Sequence, residues 1–325
     1  MIDITYENFQ TELIDASVHV PVLLDIWAEW CGPCKSLGPV LESLEAEYGG
    51  RFILAKVNAD QYPEIAQQLS KMFGVRSIPL CVMFKDGNPI DGFMGALPAE
   101  QIRGFLDQHV ASEDALASAD ETLEAEAALA QGHPESARAL LEDALARDPA
   151  NDEARFDLIK LQIAEGDLEA AQATYASVAA RAEGPVPELR VNAFGRYIQA
   201  FAAAREGRAP AALAEAIAAN KRDFAARFEL AQLFWAAGEF TQAMDELLEI
   251  IMRDKAWSDE LARKTYVAIL EVMNKPQPKA PAGKAAAPAG AADGKPKLEI
   301  AGKMETTPAD PVIEQYRRKL SMALF

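Results

Sequence analysis

The sequence has few cysteines, fewer basic than acidic residues and no long apolar run. Only 3 of its 325 residues are cysteine, too few for a framework of structural disulfides. Its apolar runs are too short and too interrupted to span a bilayer, so we expect no membrane segment. The 32 Lys and Arg residues against 50 Asp and Glu give a net charge of −18, which disfavours binding to nucleic acid and to anionic lipid.

The first ten residues lack the features of a secretory signal. Met1 to Gln10 includes Asp3 and Glu7, and it contains neither a basic stretch nor an apolar core. We therefore expect a cytoplasmic protein. Two of the three cysteines stand three residues apart, which in a reducing compartment indicates a catalytic thiol pair rather than a structural disulfide.

The length and the secondary-structure signals predict two folded domains. A chain of 325 residues is long for one domain. Residues 1–110 alternate strand and helix patterns, which predicts an open α/β sheet. The signals are a strand at Val20 to Trp27, a helix at Lys35 to Tyr48, a strand at Phe52 to Val57, a helix at Pro63 to Phe73, a strand at Leu80 to Phe84, a turn at Asp86 and Gly87, a strand at Asp91 to Phe93 and a helix after Pro98.

Residues 113–273 have the composition and periodicity of helices. Gly132 and Gly166 are 34 residues apart, which is the period of tetratricopeptide repeats. Spacings of 41 and 31 residues on either side of Gly207 make the third unit irregular. The pattern predicts tetratricopeptide-like helix pairs, although alanine-rich helices alone could imitate it. Each glycine is followed five residues later by an alanine, in the pairs Gly132 and Ala137, Gly166 and Ala171, Gly207 and Ala212, and Gly238 and Ala243.

The C-terminal part has the opposite charge balance, with nine Lys and Arg against five Asp and Glu from Asn274 onward. Residues 274–309 are rich in Pro, Ala, Gly and Lys, which predicts a flexible linker. Residues 310–325 regain helical signals, with Asp310 as N-cap and Pro311 at the first helical position. A helix this short is marginal in water, so we expect it to dock, either onto its own helical domain or onto a partner. Its apolar stripe consists of Ile313, Tyr316, Leu320 and Leu324.

The paired cysteines, Cys31 and Cys34, lie in the segment Trp-Ala-Glu-Trp-Cys-Gly-Pro-Cys-Lys from Trp27 to Lys35. A cysteine at a helix N-terminus has its thiolate stabilised by the helix dipole and by free N–H groups. We therefore predict that Cys31 attacks a substrate disulfide and that Cys34 resolves the mixed disulfide. Zinc binding is the alternative for such a pair, but no second pair is present, and Cys81 with the histidines offers no ligand spacing. We expect no metal.

This segment is the active-site motif of the thioredoxin family, which the first domain resembles. The resemblance implies that Asp25 moves protons for the resolving cysteine, and the cost of burying an aspartate in an apolar run favours a functional role. Ile78 and Pro79 resemble the cis-proline loop that faces the dithiol, and Gly95 matches more loosely. Cys81 is interpreted as an inert buried residue. The substrate surface is expected to include Trp30, Gly32 and Pro33.

Nearly the whole chain resembles the bacterial chaperedoxin family, called CnoX or YbbN, which joins a thioredoxin domain to a tetratricopeptide-like domain. The proline-rich insertion departs from that family, and some members replace Cys31. The resemblance implies a redox-active holdase that binds unfolded or oxidised client proteins and protects or reduces their cysteines. It further implies transfer of clients to the GroEL chaperonin, with DnaK-type chaperones and thioredoxin reductase as other partners. No cofactor is expected.

The resemblance also gives the terminal helix a role in docking onto the chaperonin. A simpler alternative is a thioredoxin-type protein-disulfide reductase whose helical domain only selects a partner. In both cases the first domain acts as a protein-disulfide oxidoreductase, and the intact dithiol argues against an inactive adaptor. The residues expected to dock are Ile313, Tyr316, Arg317, Arg318, Leu320 and Leu324.

Overall fold

The computed structural model describes residues 1–183, 186–274 and 310–324. They divide into two compact units, with residues 1–112 in the first and the remaining described residues in the second. The first unit contains a sheet with helices and the second contains only helices, so the predicted fold class is confirmed. The predicted linker, residues 274–309, lies outside the described residues except for Asn274.

The first unit is a five-stranded mixed sheet with three α-helices. Its elements are β1 (Ile2–Asp3), β2 (Val22–Trp27), α1 (Gly32–Glu47), β3 (Ile53–Asn58), α2 (Pro63–Met72), β4 (Leu80–Lys85), β5 (Asn88–Met94) and α3 (Ala99–His109). The strand order is β1-β3-β2-β4-β5. The strands β1, β3 and β2 are parallel, whereas β4 is antiparallel to β2 and β5 is antiparallel to β4.

The central strand β2 is covered on both faces, which explains its nearly continuous apolar sequence. Val22, Leu24 and Ile26 pack into one apolar cluster, which includes residues of α2. Leu23 packs into a second cluster, which includes residues of α1 and α3. Because side chains alternate along a strand, Asp25 shares the face of Leu23. A carboxyl group is therefore placed beneath α1.

The helix α1 begins at Gly32, three residues before the helical pattern that starts at Lys35 and directly after Cys31, which was predicted to lie at a helix N-terminus. Cys31 is its N-cap residue, with extended backbone angles. Pro33 occupies the first turn, where its missing N–H removes no helical hydrogen bond and its restricted φ suits the helix. The Gly-Pro pair between the cysteines thus belongs to the helix, and this brings Cys34 into its first turn.

The second unit is a series of helix pairs followed by two further helices. Its helices are α4 (Glu113–Ala130), α5 (Pro134–Arg147), α6 (Asp152–Ala164), α7 (Leu168–Ala176), α8 (Leu189–Glu206), α9 (Pro210–Ala219), α10 (Phe224–Ala236), α11 (Phe240–Arg253), α12 (Trp257–Met273) and α13 (Pro311–Leu324). Three of the four predicted turn glycines have positive φ, which disfavours other residues there. They are Gly132, Gly166 and Gly238. The alanines five residues after them, Ala137, Ala171 and Ala243, are fully buried.

The third pair, α8 and α9, departs from this pattern. Gly207 has a φ of −74°, and α9 starts three residues after it instead of two. The fourth residue of α9 is therefore Leu213 instead of Ala212. Leu213 is fully buried, while Ala212 is exposed. Ala212, the alanine that follows Gly207 in the repeat pattern, therefore does not occupy the buried position that Ala137, Ala171 and Ala243 occupy, because the longer turn shifts that position by one residue.

The terminal helix α13 packs against α11 and α12 of its own unit. Ile313 and Tyr316 are buried in the apolar cluster of that unit, and Leu320 and Leu324 pack against its edge. The intramolecular alternative is therefore the observed arrangement. The expectation that these four side chains face a partner does not describe this structure, because their apolar stripe already covers the chain's own domain. Arg317 and Arg318 remain exposed.

Candidate active site

Cys31 and Cys34 form a disulfide in the structure, with their Cα atoms 5.3 Å apart. Both residues are buried, with exposed fractions of 3% and 4%, and they cluster with Ala28 and the partly buried Ile78. Gly32 and Pro33, between them, are exposed. The disulfide thus lies just beneath the surface, under two exposed residues that a substrate chain can approach.

The start of α1 provides a hydrogen-bond donor for the sulfur of Cys31. The backbone N–H of Cys34 donates to Cys31 Sγ, with N and S 3.2 Å apart. A helix N-terminus carries partial positive charge and unpaired N–H groups, both of which stabilise a thiolate on the N-cap residue. The contact and the helix end support the prediction that Cys31 is the attacking thiol of the reduced pair.

Asp25 lies buried in the sheet, on the face covered by α1, with an exposed fraction of 1%. Burial raises its pKa from 3.8 to about 6, while the charge of Lys56 and a hydrogen bond from Cys81 act in the opposite direction. Lys56 is the register partner of Asp25 on β3, and its ammonium group pairs with Glu42 of α1 at 2.7 Å. A carboxyl group with such a pKa can exchange protons near neutral pH.

Cys81 is not merely a packing residue. It is the register partner of Asp25 on β4, and its thiol donates to Asp25 Oδ1 with S and O 3.8 Å apart. Burial and the neighbouring carboxyl group raise the pKa of Cys81 well above its ordinary value, so it remains a protonated donor. The sequence interpretation of Cys81 as inert missed this contact, and it did not single out Lys56. Strand register brings all three side chains together, and no local motif encodes it.

The loop between α2 and β4 contains the predicted cis-proline. The peptide bond between Ile78 and Pro79 is cis, as the sequence resemblance implied. Gly95 has a φ of 86°, and its N–H donates to the carbonyl of Pro79 at 2.9 Å. The hydrogen bond joins the segment after β5 to this loop, and the positive φ explains why a glycine stands there. Ile78 packs against the two cysteines.

An open groove of about 890 Å³ runs beside the disulfide, between Trp30 and the residues that precede Pro79. Trp30 is 70% exposed, and its indole N–H donates to Asp60 Oδ2 at 2.9 Å. Asp60 was not identified from the sequence, and it orients the exposed ring over one end of the groove. An exposed aromatic surface next to a reducible disulfide suits the binding of an extended polypeptide.

Residues 1–108 match the protein family described as Thioredoxin. A thioredoxin of Chlorobaculum thiosulfatiphilum is 46% identical over 106 residues, which is 33% of this chain and 93% of that protein. The chain belongs to the thioredoxin family. The thioredoxin domain is also 43% identical over 106 residues to thioredoxin 2 of Chlorobaculum tepidum, covering 33% of this chain and 92% of the relative. A thioredoxin of Haemophilus influenzae is 39% identical over 103 residues, covering 32% and 91%.

Two further matches lie beyond the thioredoxin domain. Residues 128–190 and residues 203–286 match families described as Tetratricopeptide repeat. The chain therefore has a thioredoxin domain at its N-terminus and tetratricopeptide repeats in its C-terminal part, an architecture consistent with the chaperedoxin resemblance. The motif, the disulfide and the relatives together support thiol-disulfide redox activity of the thioredoxin domain.

The described part of the chain contains neither a metal-binding cluster nor a membrane-spanning helix. Among residues 1–183, 186–274 and 310–324, no group of three or more His, Cys, Asp and Glu side chains is placed to hold a metal ion. Within the same ranges, no helix combines the length and the apolar character needed to cross a membrane.

Proposed function

We propose that this protein is a redox-active holdase of the chaperedoxin type, which binds unfolded proteins and protects or reduces their cysteines in the cytoplasm. The observation that supports it is the presence, in one chain, of a reducible disulfide beside an open groove and a series of tetratricopeptide helix pairs. Such repeats present extended surfaces to other polypeptides. The protein substrates are thus recognised by two separate units.

The redox step is a dithiol-disulfide exchange. The Cys31 thiolate attacks one sulfur of the client disulfide, a new S–S bond forms, and the other client sulfur leaves as a thiolate that takes up a proton. The Asp25 carboxylate accepts the proton of Cys34, whose thiolate then attacks Cys31 Sγ. The bond from Cys31 to the client breaks, and the second client sulfur leaves as a thiolate that takes up the proton held by Asp25. The client gains two electrons and two protons, and the chain ends with the disulfide seen in the structure. A dithiol of the thioredoxin reductase class would reduce it again.

The groove and the cis-proline loop would position the client during this exchange. An extended chain next to Ile78 and Pro79 can pair with loop backbone while its side chains contact Trp30 and the groove. Gly32 has open space around its Cα, because no atom from outside its own stretch of chain lies within 4 Å of the point that a Cβ would occupy, so a client backbone can approach the dithiol closely. These residues form the proposed substrate surface, together with Pro33 and Gly95.

The helical unit would hold clients through apolar side chains that it exposes. Leu116, Leu123 and Leu129 of α4 are between 37% and 45% exposed, and their spacing places apolar groups along much of that helix. Such groups can contact the apolar segments of unfolded proteins without ATP hydrolysis. Transfer to GroEL, and cooperation with DnaK-type chaperones, form the next step of the proposed function.

The test separates holding from redox chemistry. We expect the full chain with Cys31→Ser and Cys34→Ser to suppress aggregation of a heat-unfolded enzyme as well as the wild type does, while it no longer reduces insulin disulfides. Replacing Leu116, Leu123 and Leu129 together by Ser should have the opposite effect, with less protection and intact reduction. If the wild type gives no protection at stoichiometric ratios, the simpler function remains, a disulfide reductase whose helical unit selects a partner.

The proposed chaperonin contact concerns α13. Its apolar stripe is occupied in the structure, so the chaperonin would have to bind the exposed face with Arg317 and Arg318 or capture the helix after its release. Deletion of residues 310–325 should abolish co-purification with GroEL and leave insulin reduction unchanged. Undiminished binding of the truncated chain would exclude α13 as the docking element.

A further inference from the structure

The contact between α13 and its own domain has the properties of a binding site with a tethered ligand. The helix lies against α11 and α12, and we call the surface that receives it the helix seat, defined by Asp245 and Leu248 of α11, by Lys255 and by Tyr266 of α12. Tyr316 and Ile313 supply the buried apolar contacts of the helix. The seat thus receives an aromatic and an aliphatic side chain from one face of an amphipathic helix.

Polar groups of the seat bind both the side chains of the helix and its C-terminal end. Asp245 accepts hydrogen bonds from the Tyr316 hydroxyl at 3.1 Å and from the Lys319 ammonium at 3.0 Å. Lys255 donates to the carbonyl of Leu324 at 2.6 Å, which satisfies a terminal carbonyl and places positive charge at the helix C-terminus. The seat therefore favours an aromatic residue, a basic residue three positions later and a helix end near Lys255.

A further hydrogen bond is independent of the side chains of the bound helix. The Tyr266 hydroxyl donates to the backbone carbonyl of Tyr316 at 2.7 Å. Next to the seated helix, a groove of about 670 Å³ continues between Asp245, Met252 and Met322, and both methionines are more than half exposed. Methionine side chains adapt to differently shaped apolar partners. These features allow helices other than α13 to use the same surface.

Few side chains hold α13 in the seat. Residues 275–309 separate α13 from α12 in the sequence, and the described contacts of α13 are those with the helix seat. Only two of its side chains are buried, and a helix of 14 residues is marginal when free. Because α13 and the helix seat belong to one chain, their contact is intramolecular, with an effective concentration on the order of 1 mM. If the free helix binds with a Kd of about 0.1 mM, the seat is about tenfold less available to any competitor.

We infer that the helix seat binds amphipathic helical segments of non-native proteins and that α13 is its built-in competitor. The partner chemistry is that of α13, namely an apolar stripe with an aromatic residue and a Lys or Arg that pairs with Asp245. A client that fills the seat releases α13, and by linkage the capture of α13 by another protein opens the seat for a client. This inference rests on the proposed holding function and adds where one client segment binds.

The first experiment measures the seat with a defined probe, a fluorescently labelled peptide of residues 310–325. We expect saturable binding to the chain truncated after residue 309, and binding at least about tenfold weaker to the full chain. Asp245→Lys in the truncated chain should weaken binding, and a peptide with Lys319→Glu should restore it. Glu215→Lys is the matched control, because Glu215 is an exposed acid on α9. Equal binding to the truncated and full chains, or no binding to either, would overturn the inference.

The second experiment adds a client, reduced and carboxymethylated α-lactalbumin. It should displace the labelled peptide from the truncated chain, and it should bind the truncated chain several-fold more tightly than the full chain. Circular dichroism of the truncated chain checks that its helices remain. If the client binds both chains equally and leaves the peptide in place, this inference fails while the holding function stands. If the client binds neither chain, both fail.

Discussion

The replacement Asp25→Asn tests the electrostatics of the dithiol site through the stability of the thioredoxin domain. Asp25 is almost completely buried, and burial raises its pKa from 3.8 to about 6. The folded chain therefore holds this proton more tightly than the unfolded chain does. As the pH rises from about 4 to about 6, the unfolded state ionises first, and the free energy of unfolding falls over that window.

The two pKa values determine the size of the effect. Their separation corresponds to about 3 kcal/mol at any pH above the folded-state value. An asparagine has no such ionisation cost and can still accept the Cys81 hydrogen bond. We expect Asp25→Asn to raise the free energy of unfolding by about 1 to 3 kcal/mol at pH 8, and by little below pH 4.

The assay is guanidinium unfolding of the full oxidised chain at several pH values. The transition of the thioredoxin domain is identified by its shift when the Cys31–Cys34 disulfide is reduced. Asp3→Asn is the matched control, because Asp3 lies in the same domain and is exposed. A gain in stability that is the same at pH 4 and pH 8 would show that packing, and not the buried charge, explains the effect.

Three further replacements test the site and its support. Cys34→Ser should accumulate client mixed disulfides that reducing agent releases on gels, because the resolving thiol is gone; unlinked clients would contradict its role. Cys81→Ala should raise the pKa of Asp25, because it removes the hydrogen bond that the thiol donates to the carboxylate. Cys81→Ser should not raise it, because the serine hydroxyl can still donate. The carboxyl ¹³C shift of Asp25, followed against pH, measures both. Gly92→Ala should destabilise the domain by about 1 to 3 kcal/mol, because its Cβ would lie 2.7 Å from the Cys81 carbonyl oxygen. Gly104→Ala, with open space at its Cα, should not destabilise it.

The predictions that held come from short-range patterns. The segment around Cys31 and Cys34 carries a local signal for its own structure, because a proline is favoured in the first turn of a helix. The turns at Gly132, Gly166 and Gly238 and the 34-residue spacing are likewise short-range features, because each turn lies within one helix pair and the spacing relates that pair to the next. The order of strands and α-helices from β2 onward followed from hydrophobic periodicity, whereas the two-residue strand β1 was not predicted.

The repeat pattern failed in the third helix pair, where one additional residue in the turn changes which residue of the next helix is buried. The third helix pair has the same glycine-to-alanine spacing as the others, yet Leu213 takes the buried position and Ala212 is exposed. The sequence shows the spacing but not where the helix starts, because that depends on the conformation of Gly207. A Pro210 at the first helical position was the available signal.

The sequence by itself determined the redox motif, the two kinds of domain and the amphipathic character of the last helix, since each depends on residues close together in the chain. Only the tertiary structure decided which other residues they contact. Register across three strands places Cys81 and Lys56 beside Asp25, and this pairing has no local code. The apolar stripe of α13 showed that the helix must dock, but an apolar stripe fits any complementary surface. Asp245, some 70 residues away in the chain, makes the chain's own domain that surface, because it accepts from both Tyr316 and Lys319.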